Sequence, residues 1–279
     1  MLAKDLTFGV EIECYVPIDG PALAQRLNSA GIPAIFIRHS HQTTAGWKVV
    51  HDASVTQYAP SGFHGLEVVS PILIGEAGLE RVTKVADLLR ALGSRITTKC
   101  GLHVHVGARN ANPHQLKTLG KMFVKYEKQF DALVPASRRE TSPAPYLAQR
   151  NRFACSNSAR FNDMADAFRQ IDAARTVAQI ATVMNGGYSS DQYTNFRYFK
   201  LNYQSMATHG TVEFRQHSGS VESQKICAWI KLVTNFVASA MSVRSVAQAD
   251  GQFDALIGKV DRPTAAYLES RRAALVGAA

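Results

Sequence analysis

The chain has 279 residues, 46% apolar and 19% charged, which excludes a mainly disordered protein and allows a sizeable core without disulfides. Lysine and arginine outnumber aspartate and glutamate 31 to 22, and the resulting formal charge of +9 keeps anionic partners, nucleic acid included, in view. Four scattered cysteines, Cys14, Cys100, Cys155 and Cys227, form no CxxC pair, so neither a zinc knuckle nor a disulfide scaffold fits, and a reducing cytoplasm does.

The chain opens on MLAKDLTFGVEIE, which reaches acidic residues before any apolar run long enough for a secretion signal. Short β-like runs predict strands over 7–16, 34–38, 47–51 and 65–69. An amphipathic helix over 75–92 follows, with Leu79, Val82, Val85, Ala86 and Leu89 on one face. Next come a strand over 97–106 and a helix opened by Asn112 as N-cap and Pro113 in the first turn, running to about Phe130. Residues 135–145, PASRRETSPAP, form a loop rich in turn formers and longer than a simple connection. Two further strands over 198–206 and 211–217 are joined by a short turn at 207–210, which predicts an antiparallel hairpin. A long buried helix over 220–243 and a terminal helix over 264–275 lead to a small Ala/Gly tail. The longest apolar stretch, 226–241, is interrupted by Lys231, Thr234, Asn235 and Ser239 and is too short to span a bilayer, so no membrane partner is expected. With no repeat or linker, residues 1–279 read as one domain of α+β class with a mostly antiparallel or mixed sheet.

Side chains alternate faces along a strand, and three strands use the alternation in the same way. In GVEIECY, Glu11 and Glu13 oppose Val10, Ile12 and Cys14. In GLHVHVG, His103 and His105 oppose Leu102, Val104 and Val106. In TVEFRQH, Glu213, Arg215 and His217 oppose Val212 and Phe214. A solvent face normally carries Lys, Thr, Ser and Gln, so three faces built from Glu, His and Arg point to one shared site. Clustered carboxylates repel unless cations neutralise them, and carboxylates with imidazole suit Mg²⁺ or Mn²⁺. Beside such ions an arginine offers a bidentate fork to phosphate, which is the equipment of phosphoryl transfer. Asp52, in the turn that ends WKVVHDASV, and Glu67, the carboxylate of GLEVVSP, are candidates for the same cluster. Cys100 beside the histidine strand reads as a small core residue in preference to a nucleophile.

In this order, GVEIE, WKVVHDASV, GLEVVSP, CGLHVHVG and GTVEFRQHSG resemble the amidoligase family, a branch of the carboxylate–amine ligase superfamily that includes glutamine synthetase and glutamate–cysteine ligase. The resemblance covers about residues 7–225, with the helices of 220–279 beyond it. It implies a curved, mainly antiparallel sheet of about six strands flanked by helices around a funnel-shaped site. It also implies ATP and two or more Mg²⁺ or Mn²⁺ ions, an acyl-phosphate intermediate, and an amine plus a carboxylate-bearing substrate of glutamyl, peptide or cell-wall type. By the same resemblance Glu11, Glu13, Glu67, His103 and Glu213 would be metal ligands. Arg215 would stabilise the transferring phosphoryl group, with Glu13 and Asp52 also at the reaction centre. The family's D-G-S turn has Ala53 in place of its glycine here, which puts the role of Asp52 in question. Arg197, Lys200 and Asn202 would contact ATP; His105, His217, Arg138, Arg139 and Arg150 would contact substrate.

Two other classes stay open on the residues. A zinc hydrolase would use HVH with a carboxylate-activated water, but it leaves Arg215 without a role. A nucleic-acid-binding module would use the charge, yet no aromatic-interleaved basic stretch or helix-turn-helix signature is present, and no nucleic-acid partner is expected. A homo-oligomer is compatible with the sequence.

Overall fold

A computed structural model describes residues 2–38, 42–191 and 194–277. The chain folds as two compact units, each assembled from separate segments.

The first unit holds residues 7–104 and 217–230. Its strands are β1 (Thr7–Val16), β2 (Ala34–Ile37), β3 (Trp47–His51), β4 (His64–Val69), the short β5 (Leu73–Ile74) and the start of β6 (Gly101–Gly107). Their order is β2-β3-β4-β1-β6, with β5 also on β1. β1 pairs antiparallel with β4 and β5, and β4 with β3; only β2 joins in parallel, on β3. The arrangement is therefore α+β and mostly antiparallel, as the alternating runs predict. Val10, Ile12 and Cys14 of β1 are buried beneath the acidic face, where the period of two requires them.

Helix α1 (Gly20–Ser29) starts on Asp19, whose side chain accepts from the Ala22 amide, and lays Leu23, Ala24 and Leu27 against β2 and β3. Helix α2 (Ala53–Thr56) is a single turn packed on β4. Helix α3 (Gly75–Ala91) buries Leu79, Val82, Val85, Ala86 and Leu89, the five residues that mark its apolar stripe in the sequence. Cys100 is fully buried with Tyr15 and Val55, which bears out the core reading. The strand expected from residue 97 begins at Gly101, because the Thr97 hydroxyl and carbonyl hold Lys99 and Cys100 in a turn.

The second unit holds residues 105–216 and 231–277, with the N-terminal 2–6. Helix α4 (Pro113–Asp131) opens with the expected Asn112 cap and Pro113, and Gln115 completes a capping box. Its buried face packs on α5 (Met164–Ala173) and α6 (Val177–Asn185). Both partners carry caps readable in the sequence, Asp163 for α5 and the Thr176/Gln179 box for α6. The hairpin is present, since β7 (Leu201–Asn202) pairs antiparallel with β8 (Thr211–Ser218), but β7 is two residues and not nine. Asn202 ends it early: its side-chain carbonyl accepts from the Gln204 amide at 2.7 Å and turns the chain into α7 (Ser205–Thr208). Gly210, at φ 68°, then returns the backbone into β8. Helix α8 (Ser223–Ser242), which begins in the first unit, supplies Phe236 to an aromatic core with Phe130 at 5.1 Å and Phe214 at 6.4 Å. Each such buried ring contributes roughly 1.5–3 kcal/mol. Helices α9 (Phe253–Ile257) and α10 (Arg262–Val276) complete the unit. Among the described residues no helix is long and apolar enough to cross a membrane.

Candidate active site

The polar faces predicted from alternation gather into one group in each unit. In the first unit, strand register does the gathering. Glu13 lies directly opposite Glu67 across the β1–β4 ladder, and Val50 lies opposite Glu67 on the other side. One row along, Glu11 lies opposite Val69, and Val69 opposite Lys48. Directly paired residues share a face, so Glu11, Glu13, Glu67 and Lys48 project from the same side. Like charges directly opposite destabilise a sheet, which makes the Glu13–Glu67 pairing a feature that calls for a neutralising partner.

His103 of β6 meets this face. Its Nδ1 donates to Glu11 Oε2 at 2.9 Å, and its Nε2 lies 3.8 Å from Glu13 Oε1. With Nδ1 on one carboxylate, Nε2 faces the rest of the acidic cluster, the arrangement that orients metal-binding histidines. Ligand atoms of Glu13, Glu67 and His103 all lie within 4.8 Å of one another. The Gly101 amide donates to Glu13 Oε2 at 2.6 Å, and a Cβ at Gly101 would come within 2.7 Å of His103 Nε2, so any larger residue there would displace the imidazole. Burial, then the charges of Glu11, Glu13 and Asp52, push the Glu67 carboxyl well above the usual range, and a hydrogen bond with Glu11 holds its proton. Burial lowers the Lys48 ammonium, with Glu11 and Glu67 pulling the other way; its Nζ donates to the Gln42 carbonyl at 2.7 Å.

Asp52 caps α2, its Oδ1 accepting from the Ser54 amide at 2.7 Å. Among the described residues no non-glycine has positive φ, so Ala53 opens this helix without the strain a glycine would be needed to relieve. His217 belongs to this unit and is buried, donating from Nδ1 to the Ser218 carbonyl with its ring 4.8 Å from Trp229.

The second unit holds Glu213 and Arg215 of β8, His105 of β6 and Asn202 of β7. Arg215 Nη1 pairs with Glu213 Oε1, Asn202 Nδ2 donates to Glu213 Oε2 at 2.6 Å, and His105 Nε2 lies 3.7 Å from Glu213 Oε1. His105 Nδ1 bonds the Thr211 hydroxyl at 3.0 Å. Arg215 also donates from Nε to the Phe153 carbonyl at 3.4 Å, and its guanidinium lies over the Tyr198 ring at 5.8 Å. A buried carboxylate held by arginine and amide is thus presented next to a guanidinium fixed on three sides.

The remaining cations divide. Lys200 lies inside the unit, its ammonium 1% exposed and bound to Glu127 at 2.9 Å and Asp131 at 2.7 Å. Burial opposes that charge, but the two carboxylates outweigh it and raise the Lys200 pKa. Arg197 lies over Tyr198 at 5.0 Å with a buried Nε that has no partner among the described residues. Arg138 is buried, Arg139 Nε donates to the Val134 carbonyl, and exposed Arg150 donates to the Arg139 carbonyl.

Two residues stand out that strand alternation and motif order pass over. Lys48 is one; a lone lysine in an apolar strand is the available signal. Glu140, 1% exposed, is the other: it accepts from the amides of Thr141, Ser142, Arg150 and Asn151 and ties the arginine-rich loop to itself. Burial alone would raise its pKa, but the amides of Asn151, Arg150 and Ser142 outweigh it and bring the carboxyl to about 2.

A family model described as "Putative amidoligase enzyme" matches residues 4–237, a span that includes every strand above. No curated protein matches the chain.

Proposed function

The chain belongs to the amidoligase family, and from that premise we propose that it is an ATP-dependent ligase that joins a carboxylate to an amine through an acyl phosphate. The observation that carries the proposal is the Glu13–Glu67 opposition with His103 beside it, a pairing that costs stability unless a cation or a proton neutralises it. The donor set is carboxylate oxygens with one imidazole, which fits Mg²⁺ or Mn²⁺ better than the sulfur and nitrogen sets of zinc. Glu13, Glu67 and His103 would hold such an ion, Glu11 would orient His103, and Glu213 would serve as a ligand from its own group. A bound divalent ion would supply charge neutralisation for the triphosphate.

In the proposed reaction a substrate carboxylate oxygen attacks the γ-phosphorus of ATP, and the bond to the bridging oxygen breaks to release ADP. An amine nitrogen then attacks the acyl carbon, loses a proton, and expels inorganic phosphate as the amide forms. Arg215 has the role of countering charge on the transferred oxygens, for which its tethering by Glu213, Phe153 and Tyr198 is suited. Asn202 keeps Glu213 in place, and His105, Arg139, Arg150 and Arg197 are candidates for substrate and phosphate contacts. The substrate is proposed to be glutamyl, peptide or cell-wall-like.

A phosphate-release screen of ATP against carboxylate and amine pairs tests this. Phosphate should appear only when both are supplied with Mg²⁺ or Mn²⁺, and Glu13→Ala and Arg215→Ala should each lower kcat at least about 10²-fold in folded protein. Full turnover in Glu13→Ala would sink the proposal.

A further inference from the structure

Residues 152–155 and 197–200 of the second unit run side by side. The Cys155 amide donates to the Tyr198 carbonyl at 2.9 Å, and the Lys200 amide to the Cys155 carbonyl at 2.9 Å. The pairing sets the Phe153 and Tyr198 rings edge to face at 5.0 Å. Three guanidiniums stand against these two rings: Arg152 over Phe153 at 4.8 Å, and Arg197 and Arg215 over Tyr198 at 5.0 and 5.8 Å. Arg197 also donates from Nη2 to the Tyr198 hydroxyl at 3.2 Å. Arg215 pairs with Glu213, but among the described residues neither Arg152 nor Arg197 has a carboxylate partner. Exposure falls along the row: Arg152 is exposed, Arg197 is half-buried, and the Arg215 side chain is 11% exposed.

Like charges gathered on one pair of rings repel unless anions meet them. A guanidinium held against a ring still presents N–H groups at its rim, and it takes a carboxylate or phosphate as a two-pronged fork. Tyr198 carries two guanidiniums, while Phe153 carries one and meets Tyr198, which leaves little open ring for a nucleobase. Stacking on open rings is the grip by which proteins hold single-stranded nucleic acid, so the row favours a chain of carboxylates over a chain of nucleotides. We propose that Arg152, Phe153, Arg197 and Tyr198 form a docking row for an acidic peptide, whose successive carboxylates bind along it toward Arg215. The row does not rest on the ligase reading above; activation of the peptide's innermost carboxylate at Arg215 does. On that reading the substrate carries more than one carboxylate, one reacting and the others held by Arg197 and Arg152.

Fluorescence anisotropy of a labelled oligoglutamate peptide, titrated with the full chain in chelator and without ATP, tests the row. Arg152→Gln/Arg197→Gln should weaken binding at least about 10-fold, and Arg197→Lys about 3-fold, because an ammonium cannot fork. Arg81→Gln/Lys84→Gln, which removes the same formal charge from exposed positions of α3, should change it less than about twofold. Equal losses in the two double variants overturn the proposal, as does the absence of saturable binding by wild type. Tighter binding of oligothymidylate of matched charge, lost in Arg152→Gln/Arg197→Gln, also overturns it, in favour of nucleic acid. Should the double variant fail to fold, Arg152→Gln at its exposed position decides: about 3-fold weaker binding supports the row, and unchanged binding removes it. Phosphate release is scored separately. Release from ATP with an amine and a monocarboxylate, while the peptide does not bind, leaves the ligase and removes the row. Peptide binding that depends on Arg152 and Arg197, with no phosphate released from any pair, removes the ligase and leaves the row.

Discussion

Glu67 is surrounded by the charges of Glu11, Glu13 and Asp52, and in the metal-free chain it keeps a proton that an exposed glutamate would lose. A carboxyl whose folded pKa is raised binds its proton more tightly than the unfolded chain does. Stability therefore falls as pH rises from near the ordinary 4.5 toward the raised value. Glutamine at this position preserves a donor to Glu11 and has nothing to titrate. Glu67→Gln should match wild type near pH 4 and exceed it increasingly toward pH 9, by about 1–2 kcal/mol or a few degrees in Tm. Added Mg²⁺ should stabilise wild type at pH 9 and leave the variant nearly unmoved. Parallel Tm curves across this range would remove the argument for a repelling cluster. Glu11, Glu13, His103, Glu213 and Arg215 are legible in the sequence because strand alternation is local and survives folding. Lys48 is not, since its meaning depends on a register running across β3, β4 and β1. The surroundings of Lys200 are not legible either, since the carboxylates of α4 that bind its ammonium lie some 70 residues earlier.

At the scale of elements, the arginine-rich loop is ordered by one side chain. Glu140 accepts from four backbone amides, Asn151 then accepts from the Phe153 amide, and the Phe153 carbonyl accepts from Arg215. Helix caps make α4 readable in advance, and the same cues stand before α5 and α6. No local pattern signals that a glutamate beside arginines will turn inward to serve amides ten residues away. The pKa of about 2 gives this anchor a definite pH signature. Its stabilisation is present above the ordinary carboxylate value and is lost as pH falls toward 2. Glu140→Gln should cost about 2 kcal/mol in urea unfolding at pH 6, with the deficit shrinking as pH approaches 2. Trypsin should cut faster after Arg139, Arg150 or Arg152 in the variant. If cleavage and the pH 6 deficit both match wild type, Glu140 does not order the loop.

For the whole molecule, the formal charge of +9 understates the outer surface. Glu13, Glu127, Glu140, Asp166 and Glu213 are buried, against Lys48, Arg138 and Lys200, so more negative than positive groups are withdrawn from solvent. The linear sequence carries the sum but not this partition, just as it does not show residues 217–230 returning to the unit of 7–104. A basic exterior gathers anions by a field that salt screens within about 8 Å at physiological ionic strength. Buried pairs such as Lys200 with Glu127 are screened far less. If the chain is the ATP-dependent ligase proposed above, KM for ATP should therefore rise roughly 2–5-fold between low and moderate salt, while kcat stays nearly constant. A neutral osmolyte at matched osmolality should leave KM alone, which separates screening from a general effect of solute. A kcat that falls with salt while KM holds would place the salt-sensitive charges in the chemical step and not on the outer surface.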